Sequence, residues 1–146
     1  MELILWRHAE AEDGFPDEKR KLTAKGHKQA AKMAAWLDAR LPKRFVLLVS
    51  PALRTQQTAN ALRNKFVTSA AVGLSANPSS VLEAAGWPHA LQTAVIVGHQ
   101  PTLGMCVARL LTGRDTDFQV RRGSIVWIAH KDQRNVLRAV LSPDLV

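Results

Sequence analysis

Three uninterrupted apolar runs constrain the fold most. Glu2–Arg7 carries Leu3, Ile4, Leu5 and Trp6 in succession, and Phe45–Val49 and Ala94–Val97 are apolar throughout. A strand with no polar–apolar alternation must bury both faces. Helical patterns separate the runs. Thr23 is positioned as an N-cap for a helix reaching to about Leu41. Ala30, Met33, Ala34, Leu37 and Leu41 fall on one face of it, and Pro42 ends it. Ser50-Pro51 reads as an N-cap followed by proline in the first turn of a helix to about Lys65. A weak strand falls within 67–74, and a short helix runs from Pro78 to near Gly86. Gly98-His99-Gln100-Pro101 opens a further helix with Leu103, Val107, Leu110 and Leu111 inside. Ser124–Ala129 and Val136–Leu141 read as two terminal strands joined by the polar segment 130–135. Strands alternating with helices predict an α/β fold: three layers, α/β/α, with a mostly parallel central sheet and helices on both faces. No repeat or linker divides the 146 residues, so one domain over 1–146 is expected.

Composition removes several classes. An apolar fraction of 47% and a charged fraction of 22% do not suit a disordered chain. Cys106 is the only cysteine, which excludes an intrachain disulfide, and its apolar helical setting reads as core. The N-terminal Met-Glu-Leu-Ile-Leu-Trp lacks the basic region and cleavage site of a signal peptide. No apolar run is long enough for a membrane span. The net charge of +8 is unevenly placed: residues 66–108 hold no Lys or Arg and one acid, Glu83. Such charge attracts an acidic or phosphorylated partner. Nucleic acid is not expected, since the basic residues are not interleaved with aromatics.

In a parallel sheet the ligand site lies beyond the carboxyl ends of the strands. Three strand ends carry related residues. The first gives Arg7-His8, the second Ser50-Pro51-Ala52-Leu53-Arg54, and the third Gly98-His99. Guanidinium forks match phosphate oxygens, and helix N-termini add backbone donors. A neutral imidazole can attack phosphorus, and a second can hydrogen-bond the phosphoryl oxygens. Phosphoryl transfer needs mainly positioning and charge stabilisation, so this set suffices without a metal or other cofactor. No His-Glu-x-x-His, Cys/His cluster or P-loop is present. Each residue alone has a plainer reading as a surface arginine or a structural histidine; the signal is their joint placement.

Leu-Ile-Leu-Trp-Arg-His-Ala resembles the Arg-His-Gly signature that opens the histidine phosphatase superfamily, the phosphoglycerate mutase-like proteins. Arg20-Lys21-Leu22-Thr23-Ala24-Lys25-Gly26 resembles the Arg-x-Leu-Thr-x-x-Gly segment of its small bacterial branch. Val49 to Thr58 resembles the second arginine motif, and Val97-Gly98-His99-Gln100-Pro101 the second histidine motif. Order and chain length are similar to the SixA-type phosphohistidine phosphatases, over roughly residues 1–111. The resemblance implies His8 as phosphorylated nucleophile, with Arg7, Arg54 and His99 in the phosphate pocket and Arg20 beside it. It also implies a bacterial, cytoplasmic enzyme. Two departures stand out. Ala9 replaces the usual glycine, so the backbone there is expected to suit an ordinary residue. Many relatives supply an acidic proton donor from the central chain, where this sequence reads Leu74-Ser75-Ala76-Asn77-Pro78. Glu83, Glu10 and Asp13 are the substitutes to consider, each with an exposed acid as the plainer reading. His27, His89 and His130 lack any matching context.

The expected function is hydrolysis of a phosphorylated protein histidine through phospho-His8. The alternative is a phosphomonoesterase for small phosphate esters or phospho-Ser/Thr/Tyr proteins. A non-catalytic phosphopeptide-binding module comes next, disfavoured by retention of all four pocket residues, and a mutase is disfavoured because the chain is short of the extra segments that close over a sugar phosphate in larger relatives. The partner is accordingly a phosphorylated protein or a small phosphorylated substrate, with neither nucleic acid nor membrane involved.

Overall fold

The structure, a computed structural model, describes residues 1–146. Its strands are β1 (Glu2–Arg7), β2 (Phe45–Val49), β3 (Val67–Thr68), β4 (Thr93–Gly98), β5 (Ile125–Lys131) and β6 (Arg134–Leu141). Its α-helices are α1 (Ala24–Asp38), α2 (Leu53–Asn60), α3 (Pro78–Ala85) and α4 (Thr102–Thr112). The strands form one sheet in the order β3-β2-β4-β1-β5-β6. The first four of these are mutually parallel; β5 runs antiparallel to β1, and β6 antiparallel to β5. The parallel part is as expected, and the hairpin at one edge makes the sheet mixed. Asp132 and Gln133, both at positive φ (52° and 59°), make its two-residue turn.

The apolar runs bury both faces because both are covered. Ile4, Trp6, Val49, Val95 and Val97 pack with Met33 and Leu37 of α1 and Ala59 of α2. Their neighbours Leu3, Leu5, Leu48 and Ile96 face the other way, onto α3 and α4. This period-two division places α1 and α2 on one face and α3 and α4 on the other. Cys106 is fully buried in the second layer, and burial pushes its thiol up to about 12. Leu111, expected inside, is exposed.

Helix boundaries differ from the sequence pattern in two places. Thr23 caps α1 as expected, its hydroxyl accepting from Gly26 N at 2.9 Å, but the helix ends at Asp38, before Pro42 can act. Helix α2 begins at Leu53 and ends at Asn60, short of Lys65. Ser50 is not its cap: the Ser50 hydroxyl accepts from Ala52 N at 3.2 Å within the connecting turn. Helix α3 is closed by an Asn77–Ser80 capping box at its start and Gly86, at φ 72°, at its end.

Candidate active site

Topology brings the three strand ends together. Because β4 lies between β2 and β1, the residue following it is flanked by those following the other two. Backbone bonds fix the junctions: His8 N donates to Gly98 O at 3.1 Å and Ser50 N to Val97 O at 3.1 Å. His8 and His99 thereby face each other with ring centroids 5.4 Å apart. A cavity of about 370 Å³ opens above them, lined by Arg7, His8, Arg20, Arg54 and His99, with Asp17 and Arg122 on its walls. All five residues expected at the site therefore meet in one cavity.

The hydrogen bonds of His8 define its reactive nitrogen. Nδ1 lies 2.7 Å from the carbonyl oxygen of Ala9, which can only accept, so the ring proton sits on Nδ1. Nε2 keeps its lone pair and accepts from Arg54 Nε at 3.3 Å. Burial lowers the His8 pKa to about 3, opposed by the Ala9 carbonyl and reinforced by His99, Arg54 and Arg7. His99 is lowered to about 4, again chiefly by burial, with Arg54 adding to it. Both imidazoles are therefore neutral at physiological pH, the form in which His8 is a nucleophile.

The surrounding backbone holds this arrangement. Ala9 is fully buried against Leu22 and Ala30, its φ is not positive, and its N–H donates to Thr58 Oγ1 at 3.1 Å. Alanine thus fits this backbone, as expected for an ordinary residue there. Thr58 Oγ1 in turn donates to Arg54 O at 2.7 Å, tying the nucleophile's loop to α2. Ser50 Oγ lies 2.7 Å from His99 Nε2, which orients the second imidazole. Arg7 Nη1 donates to Val120 O at 2.9 Å, while its buried Nε has no partner.

Asp17 also lines the cavity, although nothing in its sequence context marks it out. It lies in a 3-10 turn, Asp17–Lys19, within the loop from 9 to 22. Its carboxylate accepts from Arg54 Nη2 at 3.0 Å and from Arg20 Nη1 at 3.0 Å, and its backbone oxygen from Arg54 Nη1 at 2.8 Å. Hydrogen bonds from Arg20 and then Arg54 hold its pKa below the usual carboxylate range. The only sequence signal available was its position three residues before Arg20. Ser50 and Arg122 also lie at the site without a distinctive sequence signal: a serine before proline has the pattern of a helix cap, and Arg122 lies in a segment without periodicity.

The candidate proton donors lie elsewhere. Glu83 is exposed on α3, Asp13 is exposed, and neither lines the cavity. Glu10 accepts from Thr23 Oγ1 at 3.0 Å and faces Lys25, in a neighbouring cavity. His27 and His89 are exposed; His130 pairs with Asn135 at 2.7 Å, far from the site on β5. No group of three or more His, Cys, Asp or Glu side chains converges in a way that could hold a metal ion.

Residues 3–72 match the family model of the histidine phosphatase superfamily (branch 1). That stretch contains Arg7, His8, Arg20 and Arg54; His99 lies beyond it. The fold is similar to a protein assigned as phosphohistidine phosphatase SixA from Nakamurella multipartitia. Identity there is 26%, TM-score 0.79, with 97% of this chain and 95% of that one covered. It is also similar to the protein histidine phosphatase SixA complexed with tungstate, at 22% identity and TM-score 0.81, covering 99% and 98%. A phosphoserine phosphatase from Entamoeba histolytica, complexed with phosphoserine, shares the fold at 16% identity and TM-score 0.77, covering 99% and 98%. No curated protein sequence matches the chain.

Proposed function

We propose that this chain is a metal-independent phosphohistidine phosphatase of the histidine phosphatase superfamily, acting as one domain with His8 as nucleophile; the family-model match over residues 3–72 and the likeness to solved phosphatases support the reading. The observation that carries the reading is the state of the titratable groups in the cavity. The nucleophilic nitrogen is unprotonated, and the one carboxylate present, Asp17, is tied to two arginines and kept ionised.

The chemistry follows from those groups. His8 Nε2 attacks phosphorus while Arg7, Arg54 and Arg20 take the phosphoryl oxygens, and His99 adds a hydrogen bond. The bond from phosphorus to the leaving group breaks as the bond to Nε2 forms. Water then attacks phospho-His8, releases phosphate and returns the imidazole to its starting state. Expelling an alkoxide would require a proton donor, and an ionised Asp17 cannot be one. A phosphohistidine protonated on its distal ring nitrogen leaves as neutral imidazole, the conjugate base of a group whose unperturbed pKa is about 6.5, and needs no proton donor from the enzyme. The set of residues therefore favours phosphohistidine over alkyl esters. A bacterial cytoplasmic setting comes with the family resemblance; no helix is long and apolar enough to cross a membrane.

A substrate panel tests the proposal. Relative kcat/KM for a phosphohistidine protein, a phosphotyrosine peptide, a series of aryl phosphates and a sugar phosphate should rise steeply as leaving-group pKa falls. Activity should survive EDTA, and His8→Ala should abolish turnover together with an acid-labile, alkali-stable phosphoenzyme. A flat dependence on leaving group would favour the phosphomonoesterase reading, and labelling at another residue would exclude His8.

A further inference from the structure

Beside the phosphate cavity lies a second, of about 440 Å³, and the two share Arg7 and Arg122 as a common wall. None of its lining residues is hydrophobic. Four cations face it, Arg7, Lys25, Arg121 and Arg122, against two acids, Glu10 and Asp144. Lys25 pairs loosely with Glu10 at 3.9 Å and Arg121 with Asp144 at 3.5 Å, which accounts for both acids. The shared wall remains uncompensated. Arg122 makes no ion pair and no side-chain hydrogen bond, although it is exposed, and Arg7 has a buried Nε without a partner. The two guanidinium groups also repel: after burial, Arg122 is the largest influence lowering the Arg7 pKa. In the proposed reaction Arg7 serves the phosphoryl group in the first cavity, which leaves Arg122 for an anion in the second. An anion in the second would meet guanidinium donors in a polar recess where a carboxylate makes charge-assisted bonds.

We infer that this second cavity receives an acidic side chain flanking the phosphorylated residue of a protein substrate, so that the enzyme selects phosphorylated segments carrying Asp or Glu nearby. The inference rests on the phosphohistidine reading and adds the sequence context of its substrate. Arg122 is the residue that would distinguish such a segment from a neutral one, with Arg121 at the rim.

Paired phosphohistidine peptides that differ only in flanking Glu or Gln test this. The readout is the ratio of their kcat/KM values, in which any general damage to catalysis cancels. For the unmodified enzyme the Glu peptide should be favoured by roughly tenfold at low salt, as expected for a few partly exposed charge pairs. Arg121→Gln combined with Arg122→Gln should bring the ratio close to one. Lys131→Gln removes one positive charge at the opposite end of β5 and should leave the ratio unchanged. A ratio near one in the unmodified enzyme overturns the inference while phosphohistidine hydrolysis stands. So does an equal fall in Lys131→Gln, which would assign the preference to net charge. If neither peptide turns over while an aryl phosphate does, the phosphohistidine reading fails and this inference with it.

Discussion

Ser50 Oγ accepts the Ala52 N–H and lies 2.7 Å from His99 Nε2, so one hydroxyl joins the turn after β2 to the imidazole after β4. Ser50→Ala should leave the fold intact, since the backbone bond to Val97 remains, yet free the His99 ring to rotate. A fall of about tenfold in kcat is expected from such misplacement, together with a changed nitrogen chemical shift of His99 by NMR. Asp17 has the converse effect. Its carboxylate holds Arg54 and Arg20, so any phosphate must compete with an internal anion for the same donors. Asp17→Asn removes the competing charge and should strengthen product inhibition by inorganic phosphate, read as a lower inhibition constant. An unchanged constant would mean that Asp17 does not contest the phosphate site. Both residues were hard to read in the sequence for the same reason: a serine before proline and an acid in a polar loop have commoner roles, and only three-dimensional proximity separates this case from those.

The elements that were legible are those whose pattern has a single physical solution. β1, β2 and β4 are apolar throughout because helices cover both faces of the sheet, and their ends carry the nucleophile and its partners. The helical pattern runs past the observed end of α2 because residues 61–65 keep helix-compatible character, whereas Ala61 N already turns back to Thr58 O. The segment from 113 to 124 was not legible, since its position is set by close contact with α4 rather than by any periodicity. Gln100 bridges the two, donating to Phe118 O at 2.7 Å and accepting from Gly104 N at 2.7 Å. A Cβ at Gly104 would lie 1.8 Å from Phe118 O. Gly104→Ala should therefore cost about 1–3 kcal/mol as an overpacking substitution, measured by urea denaturation. It should also lower activity, because the displaced segment carries the Val120 carbonyl that holds Arg7.

For the molecule as a whole, two buried neutral histidines link stability to pH. Their folded values, about 3 for His8 and about 4 for His99, lie below the unfolded value of about 6.5. Between these limits the unfolded chain binds more protons than the folded one, so stability rises with pH. The contribution is complete above about pH 6.5 and is lost as pH falls through the folded values. The slope should approach about 1.4 kcal/mol per pH unit for each histidine. Denaturation midpoints between pH 7.5 and pH 4.5 should show this decline, and His8→Ala should flatten it. An equally steep decline in that variant would assign the effect to other groups.

The reversal of β5 against β1 has a consequence for how the molecule comes into being. In this antiparallel pair Leu3 sits opposite Ile128 and Trp6 opposite Ile125. The beginning of β5, not its end, therefore lies at the site edge, and the residues entering it supply Val120 and Arg122. During translation His8 leaves the ribosome more than a hundred residues ahead of the segment that completes its pocket and gives β1 its second neighbour. Contacts so distant in sequence form late. A nascent chain can thus display its nucleophile long before it can use it, and activity begins only when the last strands have joined the first.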